Sequence, residues 1–198
     1  MSRHLLPWRL LVASMTLAAC GSHAFAQGRQ QGKIFGGYFE EWGIRYAGYN
    51  IADLQKNGVA DVLTHLIYAF GNVTPTATAA CAIADPSAAY QDSTVPRVSG
   101  KPYTAPLYGN FGAIQQHKEL HPNLKVLISL GGQAGNVSGF TTAAGTGPGR
   151  AALAASCIDM FVKGHIATGV AAPGLFDGFN IDWEFPAAAE KQNFTALL

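Results

Sequence analysis

Residues 176–186 read F-D-G-F-N-I-D-W-E-F-P, which places an amide and two carboxyl groups at alternate positions, Asn180, Asp182 and Glu184. In an extended chain successive side chains point to opposite faces, so these three share one face and Phe179, Ile181 and Trp183 share the other. Acids two positions apart on a strand lie about 7 Å apart along the backbone. That spacing suits one carboxyl group that donates a proton beside another that stabilises nearby charge. On a strand open to water such alternation is the ordinary half-buried pattern. Here the stretch lies between helix-like segments, so its polar face is expected to look into a barrel or crevice, where carboxylates cost solvation.

Other chemistries find little support. Thirteen Lys plus Arg against twelve Asp plus Glu leave a net charge of +1. No basic run is long enough to bind nucleic acid or an anionic membrane. His65, His117, His121 and His165 are scattered, and His23 lies in a segment expected to be processed. Without an H-x-x-x-H, C-x-x-C, nucleophile-elbow or phosphate-loop pattern, no metal and no cofactor is expected.

The elements that position the acidic stretch alternate in type. Residues 33–42 and 63–73 carry the apolar and aromatic content of strands, and 125–130 a third, while 50–57 has a short helical pattern stopped by Gly58. Helical spacing returns over 111–120, ending at His121-Pro122, and again over 149–165; 190–198 opens a fourth helix. Between them, 74–109 lacks periodicity and is expected to be an insertion over one barrel end. Strand followed by helix, four times over, predicts an α/β fold with a parallel sheet and right-handed crossovers.

The amino terminus reads as a signal peptide: Arg3 and Arg9 flank an apolar run over 10–19 that is too short to span a bilayer. Two processing sites compete, a lipobox-like Leu17-Ala18-Ala19-Cys20, which would leave a lipid anchor, and an A-x-A site at Ala24-Phe25-Ala26. The expected product is secreted, with domain limits 1–26 and 27–198 and no transmembrane segment. In that compartment Cys81 and Cys157 are either a disulfide or two buried thiols.

Residues 177–186 closely resemble the D-G-x-D-x-D-x-E-[YF]-P signature of family 18 glycoside hydrolases, the chitinases. Ser129-Leu130-Gly131-Gly132 matches the S-x-G-G motif that the family carries on its third strand. The resemblance runs from about residue 33 to the end and implies a (β/α)8 barrel. Such a barrel needs about 250 residues and roughly 170 remain after the signal peptide, so only about the first four βα units are expected here.

The family mechanism is retaining and substrate-assisted. By resemblance Glu184 is the proton donor, Asp182 orients the substrate's N-acetyl group, and Asn180 stands where the family usually has an aspartate. Tyr38 and Phe70 match aromatic positions that line the sugar site, with barrel packing the alternative for Phe70. Gly131, Gly132, Gln133 and Trp183 are also expected at the substrate, Gln133 where many relatives have tryptophan. Ser129 and Asp177 receive structural roles. The implied substrate is chitin or N-acetylglucosamine oligosaccharides, and the implied full-length state is a monomer. Alternatives are a chitin-binding, lectin-like relative without turnover and an endo-β-N-acetylglucosaminidase acting on N-glycans. The family's Met-x-Tyr-Asp segment of the sixth strand and tryptophan of the eighth have no counterpart in this chain.

Overall fold

The computed structural model describes residues 32–133 and 137–198; the expected signal peptide, its two competing processing sites and Cys20 lie outside the described residues. The strands are β1 (Gly36–Glu40), β2 (His65–Val73), β3 (Cys81–Ile83), β4 (Lys125–Gly131), β5 (His165–Ala167), β6 (Val170–Ala171) and β7 (Gly178–Asp182). The helices are α1 (Gly43–Tyr46), α2 (Ile51–Lys56), α3 (Val59–Val62), α4 (Gly109–Leu120), α5 (Val137–Ala144), α6 (Gly147–Cys157) and α7 (Lys191–Leu197). Four parallel strands in the order β1-β2-β4-β7 form the frame. This is the parallel sheet expected from the alternation of elements, and it matches the partial α/β barrel that the resemblance implies.

Register turns the strand alternation into two faces. Phe39, Tyr68, Ile128 and Phe179 are partners across the sheet on its outer face, and the next row, Glu40, Ala69, Ser129 and Asn180, lies on the inner face. The outer row is the floor of the core. Tyr68, Phe111, Phe161 and Phe176 are fully buried there. Their rings meet edge-on at centroid distances of 5.2 to 5.5 Å from Tyr68 to Phe111 and from Phe176 to Phe111 and Phe161. Edge-to-face pairs of this kind add about 0.5–1.5 kcal/mol each to the area they bury.

Local signals explain the element boundaries. Helix α2 begins with a capping box: the Asn50 side chain accepts from the backbone N–H of Ala52, and Asp53 accepts from that of Asn50. Gly58 then takes a positive φ of 73°. The helix expected over 149–165 starts at Gly147 behind the Thr146 cap and ends at Cys157. A π-helical turn over Ile158–Val162 and the β5–β6 hairpin replace the rest. Gly164, at φ 79°, lies so close to the Ala172 backbone that no side chain fits, which ends the helical run. Helix α5 has no counterpart in the expected pattern.

The segment 74–109, expected as an insertion from its lack of periodicity, is packed against the rest of the chain. Its β3 lengthens the ladder of β2. The rest wraps the outside of α4 and buries Ala88, Ala89, Val95 and Leu107. Gln116 of α4 anchors it, accepting from Val98 N–H at 3.0 Å and donating to the Lys101 carbonyl at 2.9 Å. Small residues pack closely without the bulky apolar repeat that sequence periodicity detects, so the burial leaves no periodic trace.

Cys81 of β3 and Cys157 at the end of α6 form a disulfide across a sequence separation of 76 residues. Beside it Cys81 N–H donates to Ser156 Oγ at 3.0 Å. A loop of this length corresponds to about 4 kcal/mol of restricted unfolded-chain entropy, which fastens the insertion to the helix layer.

Candidate active site

Because the four framework strands are parallel, their carboxyl ends meet at one side, where barrel folds place their chemistry. Asp182 ends β7 on the inner face and is half-buried. Asn180 stands one step deeper and donates from Nδ2 to Ser129 Oγ at 2.8 Å. Ser129 is fully buried on β4. The amide therefore holds the hydroxyl while two residues away the Asp182 carboxylate keeps its oxygens unbonded by any described side chain.

Glu184 does not lie on the strand as the alternation predicts. Pairing stops at Asp182, because β4 turns away at Gly131 and Gly132, with φ of 111° and 78°, and offers no further partner. Glu184 is half-buried in the connection that follows. The two acids thus differ in support, one on the sheet and one on a loop beyond it.

The glycine pair is explained by close approach. A side chain at Gly131 would collide with the Asp182 carbonyl, and one at Gly132 would come within 2.5 Å of the Phe70 ring. Gly132 N–H also donates to the Asp182 carbonyl at 2.8 Å, tying β4 to the acidic strand. Phe70 sits in a bulge of β2 between Ala69 and Gly71, with its ring over Gly132. Gln133 is exposed just beyond.

Tyr38 and Trp42 complete the aromatic content of this end. Tyr38 points along the inner face and is 58% exposed. Trp42, the last residue of the stretch expected as the first strand, lies just past the end of β1 and stacks on Phe70 at 5.7 Å and 27°. A tryptophan just past a strand end was the signal available for it. Trp183, expected at the substrate, is corrected by its packing: it is 5% exposed, stacks on Phe140 at 5.5 Å and meets Phe194 edge-on. Its outward strand parity puts it in the core between α5 and α7, which is the apolar side of the alternation.

Asp177 lies at the opposite end of β7. It accepts from Lys118 Nζ at 2.7 Å, Lys125 Nζ at 3.3 Å and Val126 N–H at 2.9 Å. Burial pushes its pKa up, but these donors prevail and hold it below the usual carboxylate range. It clamps the start of the strand, away from Asp182.

A further group escaped the sequence reading. Glu41 has the outward parity of Phe39 and is 7% exposed, with Oε2 accepting from Tyr68 Oη at 3.0 Å. Asn110 of α4 donates in turn to Tyr68 Oη at 3.3 Å and to the Glu41 carbonyl at 3.5 Å. Desolvation raises the Glu41 pKa to about 7 against the Tyr68 hydrogen bond, and burial also raises that of Tyr68. An acid at an outward strand position was the visible signal. Among the described residues no cluster of three His, Cys, Asp or Glu is gathered to hold a metal ion.

Comparison with known proteins shows the family and the fold. Chitinase C of Streptomyces lividans is 36% identical over 157 residues, covering 77% of this chain and 23% of that protein. Chitinase 1 of Aphanocladium album is 30% identical, covering 89% of this chain and 38% of that protein. Among solved structures, the catalytic domain of psychrophilic chitinase B from Arthrobacter TAD20 superposes with a TM-score of 0.76 at 33% identity, covering 84% of this chain and 46% of that domain. The chain thus spans about a quarter of the length of the first of these relatives and under half of the others. With residues 34–198 matching the glycosyl hydrolases family 18, the chain belongs to that family.

Proposed function

We propose that the chain contributes the acid side of the active site of a secreted chitinase that cuts β-1,4-linked N-acetylglucosamine polymers with retention of configuration. Glu184 protonates the departing glycosidic oxygen. Asp182 orients the acetamido group of the sugar, whose own oxygen attacks the anomeric carbon in place of a protein nucleophile. Asn180 supports Asp182 from one step deeper, and the Trp42–Phe70 stack with Tyr38 offers flat apolar surfaces for pyranose faces. A cleavable amino-terminal signal fits a polymer substrate that lies outside the cell.

The observation that carries this reading is the placement of Asp182, unbonded by side chains among the described residues, at the carboxyl end of a parallel strand, with Glu184 two residues on in a family signature. Glu184→Gln in the intact protein tests it. Binding of chitooligosaccharides should persist while hydrolysis falls by about 10²–10⁴-fold, the usual cost of losing proton transfer. Near-normal turnover would overturn the assignment, and release of the inverted anomer by the unaltered protein would overturn the substrate-assisted route.

A further inference from the structure

The Trp42–Phe70 stack and the Glu41–Tyr68–Asn110 cluster lie on opposite sides of the same two strand ends. Glu41 directly precedes Trp42, and Tyr68 is two residues before Phe70. Glu41 N–H donates to the Ala69 carbonyl at 2.8 Å, which makes it the last residue that holds β1 to β2. The Trp42 carbonyl then accepts from Arg45 N–H at 2.9 Å as α1 begins. The indole is therefore set by a short stretch of backbone between two anchors, of which Glu41 is one.

We propose that Glu41 is a positioning residue whose buried carboxyl group holds the Trp42 ring against Phe70, so that gain or loss of its proton tightens or loosens this aromatic platform. As a surface for sugar the platform rests on the function proposed above; as a coupling between carboxyl group and ring stack it does not. The groups facing Glu41 are Tyr68 from β2, Asn110 from α4, and the Arg45–Asp85 ion pair at 2.7 Å from α1 and the loop after β3.

The chemistry favours the neutral form in the closed arrangement. Asn110 Oδ1 is buried without a partner among the described residues, so the trio already holds one unpaired acceptor, and an ionised Glu41 adds unpaired negative charge to it. Arg45 is already engaged by Asp85, so an ionised Glu41 keeps one hydrogen bond from Tyr68 and little else to offset its desolvation. The Glu41 pKa rises from 4.5 to about 7 on folding. The folded arrangement therefore holds the proton more tightly than the open chain, and its preference for the closed form is lost as pH rises from 4.5 through 7.

The test uses the emission of Trp42, isolated as the difference between the unaltered chain and Trp42→Phe across pH 4 to 9. The expected result is a change with its midpoint near pH 7 that vanishes in Glu41→Gln. In Tyr68→Phe, which removes the hydrogen bond that favours the carboxylate, the midpoint should move up by about one pH unit. A flat profile, a transition that survives Glu41→Gln, or an unmoved midpoint in Tyr68→Phe would overturn the proposal, and the last stands even if Glu41→Gln fails to fold. Adding chitooligosaccharide separates the two readings: a titrating Trp42 that ignores the sugar removes the platform's function and leaves the coupling.

Discussion

Tyr38 and Phe39 are neighbours on β1, yet Tyr38 is 58% exposed on the inner face while Phe39 is 3% exposed on the outer one. The same contrast runs across the sheet. Outside, rings and aliphatic side chains interlock beneath α4, and the buried polar groups there are mostly held by hydrogen bonds. Inside, Asn180 and Asp182 are half-buried and Tyr38 is exposed, although Ala69 and Ser129 between them are covered. A face that is packed stabilises the fold, and a face left polar and open is available to a ligand. One strand supplies both, because alternate residues serve different purposes.

The sharpest way to break this comparison is to truncate each neighbour in turn. Phe39→Ala should cost about 3–5 kcal/mol in denaturant unfolding, through lost transfer energy and the cavity left behind. Tyr38→Ala should stay within about 1 kcal/mol and weaken sugar binding instead. Equal destabilisation by the two would mean that the inner face is packed as well.

Acid tests the outer face through a second route. His117 of α4 is fully buried, with both ring nitrogens unpartnered among the described residues and its ring 4.9 Å from His121. Burial, and then the His121 charge, push its pKa down from 6.5 to about 4. The folded state thus binds the proton less well than the unfolded chain. Its contribution is complete above pH 6.5 and is lost as pH falls through 4. Glu41 acts in the opposite direction, gaining as pH falls from 7 to 4.5. The difference in unfolding free energy between the unaltered chain and His117→Phe should therefore shrink on acidification, and a constant difference would refute a neutral buried imidazole.

The smallest effect on stability is expected on the inner face. Asn180→Asp exchanges a donor to Ser129 Oγ for an acceptor that the serine hydroxyl can satisfy, so unfolding should shift by less than about 1 kcal/mol. The added carboxyl group should share a proton with Asp182 and move the acid limb of the pH–rate profile of the intact protein. An unmoved limb would make Asn180 purely structural.

The four parallel strands, the order of the units and the acidic motif were legible in the chain, because strand alternation and the D-G-F-N-I-D-W-E string are local properties of consecutive residues. Parity alone also marked Trp183 as outward, and packing between α5 and α7 bears out that parity against its assignment to the substrate. What only the tertiary structure decided involves residues far apart. The end of β7 at Asp182 depends on where β4 turns at Gly131. The partner of Cys81 depends on the insertion reaching α6. The stacking of Trp42 on Phe70, and the burial of Glu41 beneath them, depend on the pairing of β1 with β2. A residue's type and phase are written in its neighbours along the chain. Its partner, its solvation and hence its proton affinity are set by segments that only folding brings within a few ångströms.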